Sequence, residues 1–166
     1  MKSIPKVLLA VITLATATLG GTGMVAPPAA NAVSNAVFAN RVEASIIKYT
    51  NQQRRAHKKR VVRASACVDR YAEGWGSHLA RTNRFYHRNY RQILRGCHRS
   101  YASENIARYS ATLRSPDTVA KVMVRMWMRS PGHRKNLLNR KVRLIGVGVQ
   151  KSRNGRSWVA VQNFTS

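Results

Sequence analysis

The apolar residues near the start of the chain recur at helical spacing. In "NRVEASIIKYTNQQRRA", Val42, Ile46 and Tyr49 lie three or four residues apart. This spacing is typical of a helix with one buried face, and Asn40 is a candidate N-terminal cap. The pattern therefore predicts a first helix from Asn40 to Ala56.

A second helix is predicted to begin at Ser65, which can cap it, with Asp69 near its first turn. Its apolar residues at steps of four predict one buried stripe: Cys67, Tyr71, Trp75 and Leu79. A shorter helical pattern follows between Phe85 and Gly96 and returns the chain to Cys97.

Two Ser-Pro pairs predict two further helix starts. Ser115 and Ser130 can each cap a helix whose first helical position is the proline that follows. The apolar face of the first of these helices is predicted to comprise Val119, Val122, Met126 and Trp127. In the second, Leu137 and Leu138 are predicted to anchor a short helix, and His133 falls in its first turn.

The end of the chain has the pattern of two strands. "LIGVGVQ" and "SWVAVQNF" flank Asn154 and Gly155, a pair that favours a type I′ hairpin turn. Gly146 and Gly148 predict that another backbone or a ligand comes close to the first strand. Helices followed by an antiparallel hairpin place the chain in the α+β class, with helices on one or both faces of a small sheet.

The first 32 residues have the order of a secretory signal peptide: two lysines, an apolar run, then small residues ending at Ala32. A retained membrane anchor is the competing interpretation, but threonines and glycines interrupt the run, and a span needs about 20 strongly apolar residues. Residues 33–166 are then long enough for a single domain with its own core. No segment after the signal could span a membrane.

Cys67 and Cys97 are the only cysteines. In the oxidising compartment to which a signal peptide leads, they are expected to form a disulfide, worth roughly 3 to 4 kcal/mol by the chain-entropy estimate. A thiol or metal pair is the alternative, but the chain has no CxxC motif.

The formal net charge of +25 favours anionic partners such as lipid headgroups or cell-wall polymers. Nucleic acid is not expected to be the partner, because neither an aromatic RNA-binding pattern nor a helix-turn-helix accompanies the charge. Six cations lie between Arg54 and Arg63. Such a run is typical of a solvated face, and it is the best local candidate for an anion-binding surface.

Four segments follow one another along the chain: "FYHRN" around His87, "SENIA" from Ser103, "WMRSPGHRKNLL" from Trp127, and "IGVGV" followed by "WVAVQNF". In this order they resemble the bacterial branch of the CAP superfamily, which joins cysteine-rich secretory proteins, antigen 5 and pathogenesis-related 1 proteins. The resemblance extends from about Val42 to Phe164. It implies a CAP-type α-β-α sandwich whose small antiparallel sheet ends in the C-terminal hairpin, and a cleft lined by two histidines and acids.

Carried over by position, His87 and His133 match the two cleft histidines and Glu104 matches the acid of the family's G-E-N-I motif. Ser103 replaces the glycine of that motif. Ser130 stands where animal and plant members have a second acid, so the His-Glu-Glu-His set is incomplete here.

Two chemistries remain open for these cleft residues. His87, His133 and Glu104 could hold a zinc ion with open positions for water or substrate. Without metal, the same residues would form a hydrogen-bonded cluster that fixes the cleft. Ser103 and Ser130 are expected near the proposed histidines, but Ser130 is needed as a helix cap and no G-x-S-x-G elbow supports a serine hydrolase.

Three functions follow from the sequence. The favoured one is a secreted, non-enzymatic binding module for lipid, cell-wall polymer or another extracellular ligand. The second is a zinc-dependent hydrolase acting on extracellular or envelope substrates through His87, Glu104 and His133. The third is a structural envelope protein held by charge alone.

Overall fold

The computed structural model describes residues 29–112 and 115–166. Most of the predicted signal peptide, residues 1–28, lies outside this part, so cleavage after Ala32 stays a prediction. No helix within the described ranges is long and apolar enough to cross a membrane.

The structure contains five helices and four strands in its described part. The helices are α1 (Ala29–Ala56), α2 (Ala66–Thr82), α3 (Arg91–Gly96), α4 (Pro116–Arg129) and α5 (Pro131–Leu137). The strands are β1 (Arg63–Ala64), β2 (Ala102–Ser110), β3 (Leu144–Lys151) and β4 (Ser157–Thr165).

The four strands form one sheet in the order β1-β3-β4-β2. β1 is parallel to β3, while β3 and β2 both pair antiparallel with β4. Alternating residues of β3 and β4 pack on α1 and α4 on one face and on α2 on the other. The result is an α-β-α sandwich ending in a hairpin, which confirms the predicted fold class.

Helix α1 begins at Ala29, so the prediction that Asn40 caps it is wrong: Asn40 is an exposed residue inside the helix. Residues 29–39 are rich in alanine and contain no proline or glycine, so nothing in them stops the helix before Ala29. Phe38 adds packing there, because its ring stacks on Trp158 at a centroid distance of 4.7 Å.

The buried stripe of α2 differs from the predicted one. Leu79 is buried as expected, but Cys67, Tyr71 and Trp75 are only partly buried. The buried residues are instead Val68, Ala72, Gly76, Leu79 and Ala80. Mostly small side chains face the sheet because α2 lies very close to β3.

Two glycines of β3 make that approach possible. A Cβ added to Gly148 would lie 2.4 Å from the backbone nitrogen of Glu73, and one on Gly146 would lie 2.3 Å from the backbone of Val68. Since atoms cannot approach so closely, only glycine fits at either position. The predicted close approach is confirmed, and the neighbour is the backbone of α2.

Helices α4 and α5 begin where the Ser-Pro pairs predict. Ser115 accepts a hydrogen bond from the backbone of Thr118 at 3.4 Å, whereas Ser130 occupies the cap position of α5 without a side-chain cap bond. The predicted face of α4 is partly wrong, because Met126 is 40% exposed and Val122 is only partly buried. The buried face comprises Val119, Ala120, Met123, Val124 and Trp127.

The hairpin turn also departs from its predicted type. A type I′ turn needs positive φ at both central residues, but of Asn154 and Gly155 only Gly155 has one, at 70°. The loop spans residues 152–156, and the Asn154 side chain accepts hydrogen bonds from the Ser152 hydroxyl and the Arg156 backbone. These bonds hold the longer loop in shape.

Cys67 and Cys97 form the predicted disulfide. The bond joins the start of α2 to the residue after α3. It therefore fixes the two ends of the segment that carries His87.

Candidate functional site

The candidate site is built on β2, one of the two edge strands of the described sheet. Glu104 projects to the α2 face, whereas Asn105 projects to the face covered by α4 and α5. The outer edge of the strand is covered: Trp127 donates from Nε1 to the carbonyl of Ile106 at 3.0 Å, and Asn136 donates from Nδ2 to the carbonyl of Glu104 at 3.0 Å. Helices α4 and α5 therefore cap backbone groups that an edge strand would otherwise expose.

His87 reaches the strand from the loop between α2 and α3. Its Nδ1 lies 2.9 Å from Glu104 Oε1, and the backbone N–H of Arg88 donates to the same oxygen at 3.2 Å. An ionised carboxylate only accepts, so Nδ1 carries the proton and Nε2 is the free ring nitrogen. The carboxylate thus fixes both the tautomer and the orientation of His87.

His133 approaches from the other side of β2. Its ring centroid lies 6.0 Å from that of His87, with the ring planes 55° apart. Burial lowers the pKa of His133, and the neighbouring His87 lowers it further. A neutral imidazole is therefore favoured at His133, as its place in the first turn of α5 predicts.

A buried amide network holds the backbone of His133 in place. Asn105 donates from Nδ2 to the His133 carbonyl at 3.2 Å and to Gln162 Oε1 at 3.0 Å. Gln162 in turn donates to the hydroxyl of Thr50 on α1 at 2.8 Å. The side chains of Asn105, Gln162 and Thr50 are fully buried. The network therefore connects α5 to α1 through the sheet.

Glu104 is the buried acid of the site. Burial raises the pKa of its carboxyl group, while the hydrogen bonds from His87 and Arg88 act in the opposite direction. Its second oxygen, Oε2, is buried and has no hydrogen-bond partner in the described structure. The adjacent cleft measures about 350 Å³ and is lined by His87, Arg88, Tyr90, Tyr101, Ala102, Ser103, Glu104 and Asn136. We call it the histidine cleft.

A second, more apolar pocket lies on the His133 side. It measures about 310 Å³, and its lining residues are Phe85, Ile106, Ala107, Arg108, Met126, Trp127, Ser130 and His133. Phe85 and Met126 are 47% and 40% exposed. The two histidines therefore stand between a polar cleft and an apolar pocket.

The donor set does not match a catalytic zinc centre. Within residues 29–112 and 115–166, no group of three or more His, Cys, Asp or Glu side chains is arranged to hold a metal ion. His87 and His133 supply two imidazoles, but Glu104 is not grouped with them in a geometry that would give the three protein ligands of a catalytic zinc site. In this arrangement Glu104 orients a histidine and is not itself placed as a ligand.

The structure brings His87, Glu104 and His133 to one region, as the resemblance implies. Three residues that complete the site were not predicted: Arg88, Asn105 and Asn136. The latter two belong to the "SENIA" and "SPGHRKN" segments, so the motifs carried a signal. Nothing in the sequence pattern alone pairs these two residues across the fold.

This sandwich, with a histidine pair meeting across an edge strand, defines a CAP-type domain. Residues 47–164 match the CAP, or cysteine-rich secretory protein, family. The chain belongs to this family.

Solved structures support the assignment. An extracellular protein containing an SCP domain from Bacillus anthracis is 29% identical with a TM-score of 0.63, over 76% of this chain and 41% of that one. A cysteine-rich secretory protein from Staphylococcus aureus is 20% identical with a TM-score of 0.56, over 76% of this chain and 39% of that one.

An outer surface protein from Borrelia burgdorferi, 16% identical, has a TM-score of 0.60 over 72% of this chain and 88% of that one. The Staphylococcus and Borrelia likenesses concern the fold alone. The chain spans about two fifths of the length of the Bacillus and Staphylococcus proteins. No curated protein matches the sequence.

Proposed function

We propose that this chain is an extracellular, non-enzymatic binding module. Its histidine cleft takes a polar ligand group, and its cationic surface contacts anionic lipid or cell-wall polymer. The observation that carries the proposal is Glu104: one carboxylate oxygen is engaged by His87, and the other is buried in the cleft wall without a partner.

Unpaired polar atoms in the cleft wall favour a ligand that donates hydrogen bonds. The hydroxyl of Ser103, next to Glu104 on β2, is also buried without a partner among the described residues. Leaving such a group unsatisfied costs about 1 to 3 kcal/mol. A hydroxyl or amine of a bound ligand would satisfy Glu104 Oε2 and recover part of this energy.

Binding is favoured over hydrolysis by what the candidate nucleophiles contact. Neither Ser103 nor Ser130 forms a side-chain hydrogen bond to a histidine in the described structure. An activated serine needs an adjacent base within hydrogen-bond distance. A zinc hydrolase would need a third protein ligand, and Ser130 occupies the place of the family's second acid.

The formal net charge of +25 supports the second half of the proposal. Such a charge attracts anionic polymers and lipid surfaces over a distance limited by salt. The cleft and the charge therefore predict two components of binding, one that survives salt and one that does not.

The test is co-sedimentation of the purified protein with peptidoglycan sacculi and with phosphatidylglycerol liposomes, at low salt and at about 1 M salt. At about 1 M the Debye length is about 3 Å, so long-range charge attraction is screened. We expect part of the binding to survive high salt in the parent and to be lost in His87→Ala, because His87 lines the histidine cleft. His98→Asn is the matched control, because His98 is exposed and has a positive φ of 51° that asparagine tolerates.

Two outcomes would overturn the proposal. Complete loss of parent binding at high salt would leave a structural protein held by charge alone. Stoichiometric bound zinc that disappears in the double variant His87→Ala and His133→Ala, together with release of soluble wall fragments, would establish the hydrolase instead.

A further inference from the structure

A cavity of about 660 Å³ lies between the C-terminal end of α1 and the C-terminal part of α5. We call it the basic cavity. One wall comprises Ala56, His57, Lys58 and Lys59, and the opposite wall comprises Lys135, Leu138 and Asn139. It shares no lining residue with the histidine cleft.

A buried arginine joins the two walls. Arg54 is fully buried; its Nε donates to the Arg60 carbonyl at 2.6 Å, and its Nη1 donates to the carbonyls of Leu137 and Asn139 at 2.7 and 3.1 Å. Its Nη2 atom is buried and has no hydrogen-bond partner in the described structure. The predicted solvated run from Arg54 to Arg63 therefore begins with a residue inside the protein, beside the cavity.

No acid compensates these cations. All five acidic residues of the chain belong to the described part, and the ion pairs found there join His87 with Glu104 and Lys121 with Asp117. No acidic side chain lines the basic cavity. The buried charge of Arg54 is costly without a counter-charge, and the lysines of the cavity, which are exposed or partly buried, repel one another, so an anion from outside would relieve the excess.

His57 holds a further cation, the guanidinium of Arg134, at the rim of the cavity. Its Nδ1 lies 2.8 Å from the Gln53 carbonyl, so Nδ1 carries the proton and Nε2 is an acceptor. Arg134 donates from Nη2 to this Nε2 at 3.3 Å. The guanidinium is thereby held beside a cavity that already contains three lysines.

We propose that the basic cavity is a binding site for phosphate groups carried along a chain, such as a polyphosphate or a phosphodiester polymer. Lysine ammonium groups are strong donors to phosphate oxygens, and the cavity has room for more than one phosphate. The proposal deepens, and rests on, the cationic half of the proposed function. It needs nothing from the histidine cleft.

The test is calorimetric titration of the full chain with sodium tripolyphosphate and, separately, with poly(glycerol phosphate). The cavity variant is Lys59→Gln with Lys135→Gln. The control variant is Lys48→Gln with Lys151→Gln, which removes the same number of positive charges from residues outside the cavity. Arg54 is left intact in both, so the hydrogen bonds that join the two walls are preserved.

We expect the cavity variant to bind tripolyphosphate at least about tenfold more weakly than the parent, and the control to change by less than about threefold. Cavity-specific weakening with the polymer alone would support the site and identify the polymer as its source of phosphate. Equal weakening of both variants would overturn the site and leave diffuse charge attraction. Absence of binding by the parent would overturn it as well. Neither result bears on salt-resistant binding through the histidine cleft.

Discussion

His87 Nδ1 and Glu104 Oε1 lie 2.9 Å apart, although His87 belongs to the loop that precedes α3 in the sequence and Glu104 to the edge strand that follows it. The disulfide between Cys67 and Cys97 constrains the segment that carries the histidine. The strand that carries the acid is held by β4 on one side and by α5 on the other. The pair is thus positioned by the fold and by the cross-link together.

Glu104→Ala removes the acceptor of His87 and of the Arg88 backbone N–H. We expect the unfolding free energy to fall by about 1 to 3 kcal/mol, and the imidazole of His87 to lose its fixed tautomer. Urea unfolding and the nitrogen chemical shifts of the His87 ring measure the two effects. Glu73→Ala is the control, since Glu73 is an exposed acid on α2. An unchanged His87 spectrum in Glu104→Ala would contradict the contact.

The close approach of α2 to β3 predicts a large effect at Gly148. A Cβ there would lie 2.4 Å from the Glu73 nitrogen, so Gly148→Ala should lower the unfolding free energy by at least about 2 to 3 kcal/mol. Gly74→Ala is the matched control: it lies inside α2 with no atom within 4 Å of the added Cβ. That change should stabilise the protein by about 1 kcal/mol. Thermal unfolding distinguishes the two, and equal melting temperatures would refute the packing.

The sequence predicted the fold well where local signals are strong. The Ser-Pro pairs mark the starts of α4 and α5, and the alternating tail marks the hairpin. The buried stripe of α2 was misplaced, because large residues were expected to face the core. The sheet instead selects small residues such as Ala72, since Gly148 brings the backbones together.

The site was predicted in part. The three candidate residues came from the resemblance, since 17 and 46 residues of separation carry no spatial information by themselves. The role of Glu104 as the partner of His87 depends on loop geometry that no periodic pattern encodes. The burial of Arg54 was missed for a similar reason: its partners, at Leu137 and Asn139, are backbone carbonyls.

Removing the disulfide should destabilise the protein and loosen the segment of His87. With a sequence separation of 30, the loop-closure estimate gives about 3 to 4 kcal/mol for Cys67→Ala with Cys97→Ala. Urea unfolding of the oxidised parent against the double variant measures this cost. Hydrogen exchange should accelerate in residues 83–97 more than in β3 and β4. Uniform acceleration would show that the cross-link acts on the whole domain.

Strand β1 pairs with only two residues of β3. Further along the same edge of β3, carboxylates accept hydrogen bonds from the backbone. Val147 donates its backbone N–H to Asp69 at 2.8 Å, and Val149 donates to Glu43 at 2.7 Å. Burial raises the pKa of Glu43 to about 7, with smaller contributions from the charges of Asp69 and Glu73 and an opposing one from the Val149 hydrogen bond. Between about pH 4.5 and pH 7, Glu43 therefore holds a proton in the folded state that the unfolded chain has already released.

This difference predicts that Glu43 makes the protein less stable as pH rises from about 4.5 to about 7. Over that window the folded state binds more protons, so the unfolding free energy falls with pH, by roughly 3 kcal/mol in total for this group. Glu43→Gln keeps an acceptor for Val149 but does not ionise. Urea unfolding should show the variant close to the parent at pH 4.5 and more stable at pH 8.

Comparing variant with parent at each pH cancels the contribution of other groups, including the lowered pKa of His133. Asp117→Asn is a control of opposite sign, because hydrogen bonds from Tyr49 and Lys121 lower the pKa of Asp117. The charged form of Asp117 is favoured in the folded protein, so its loss should destabilise at pH 8. Parallel stability curves for Glu43→Gln and the parent would mean that Glu43 is ionised in the folded protein throughout, and that β3 tolerates its charge beside Asp69.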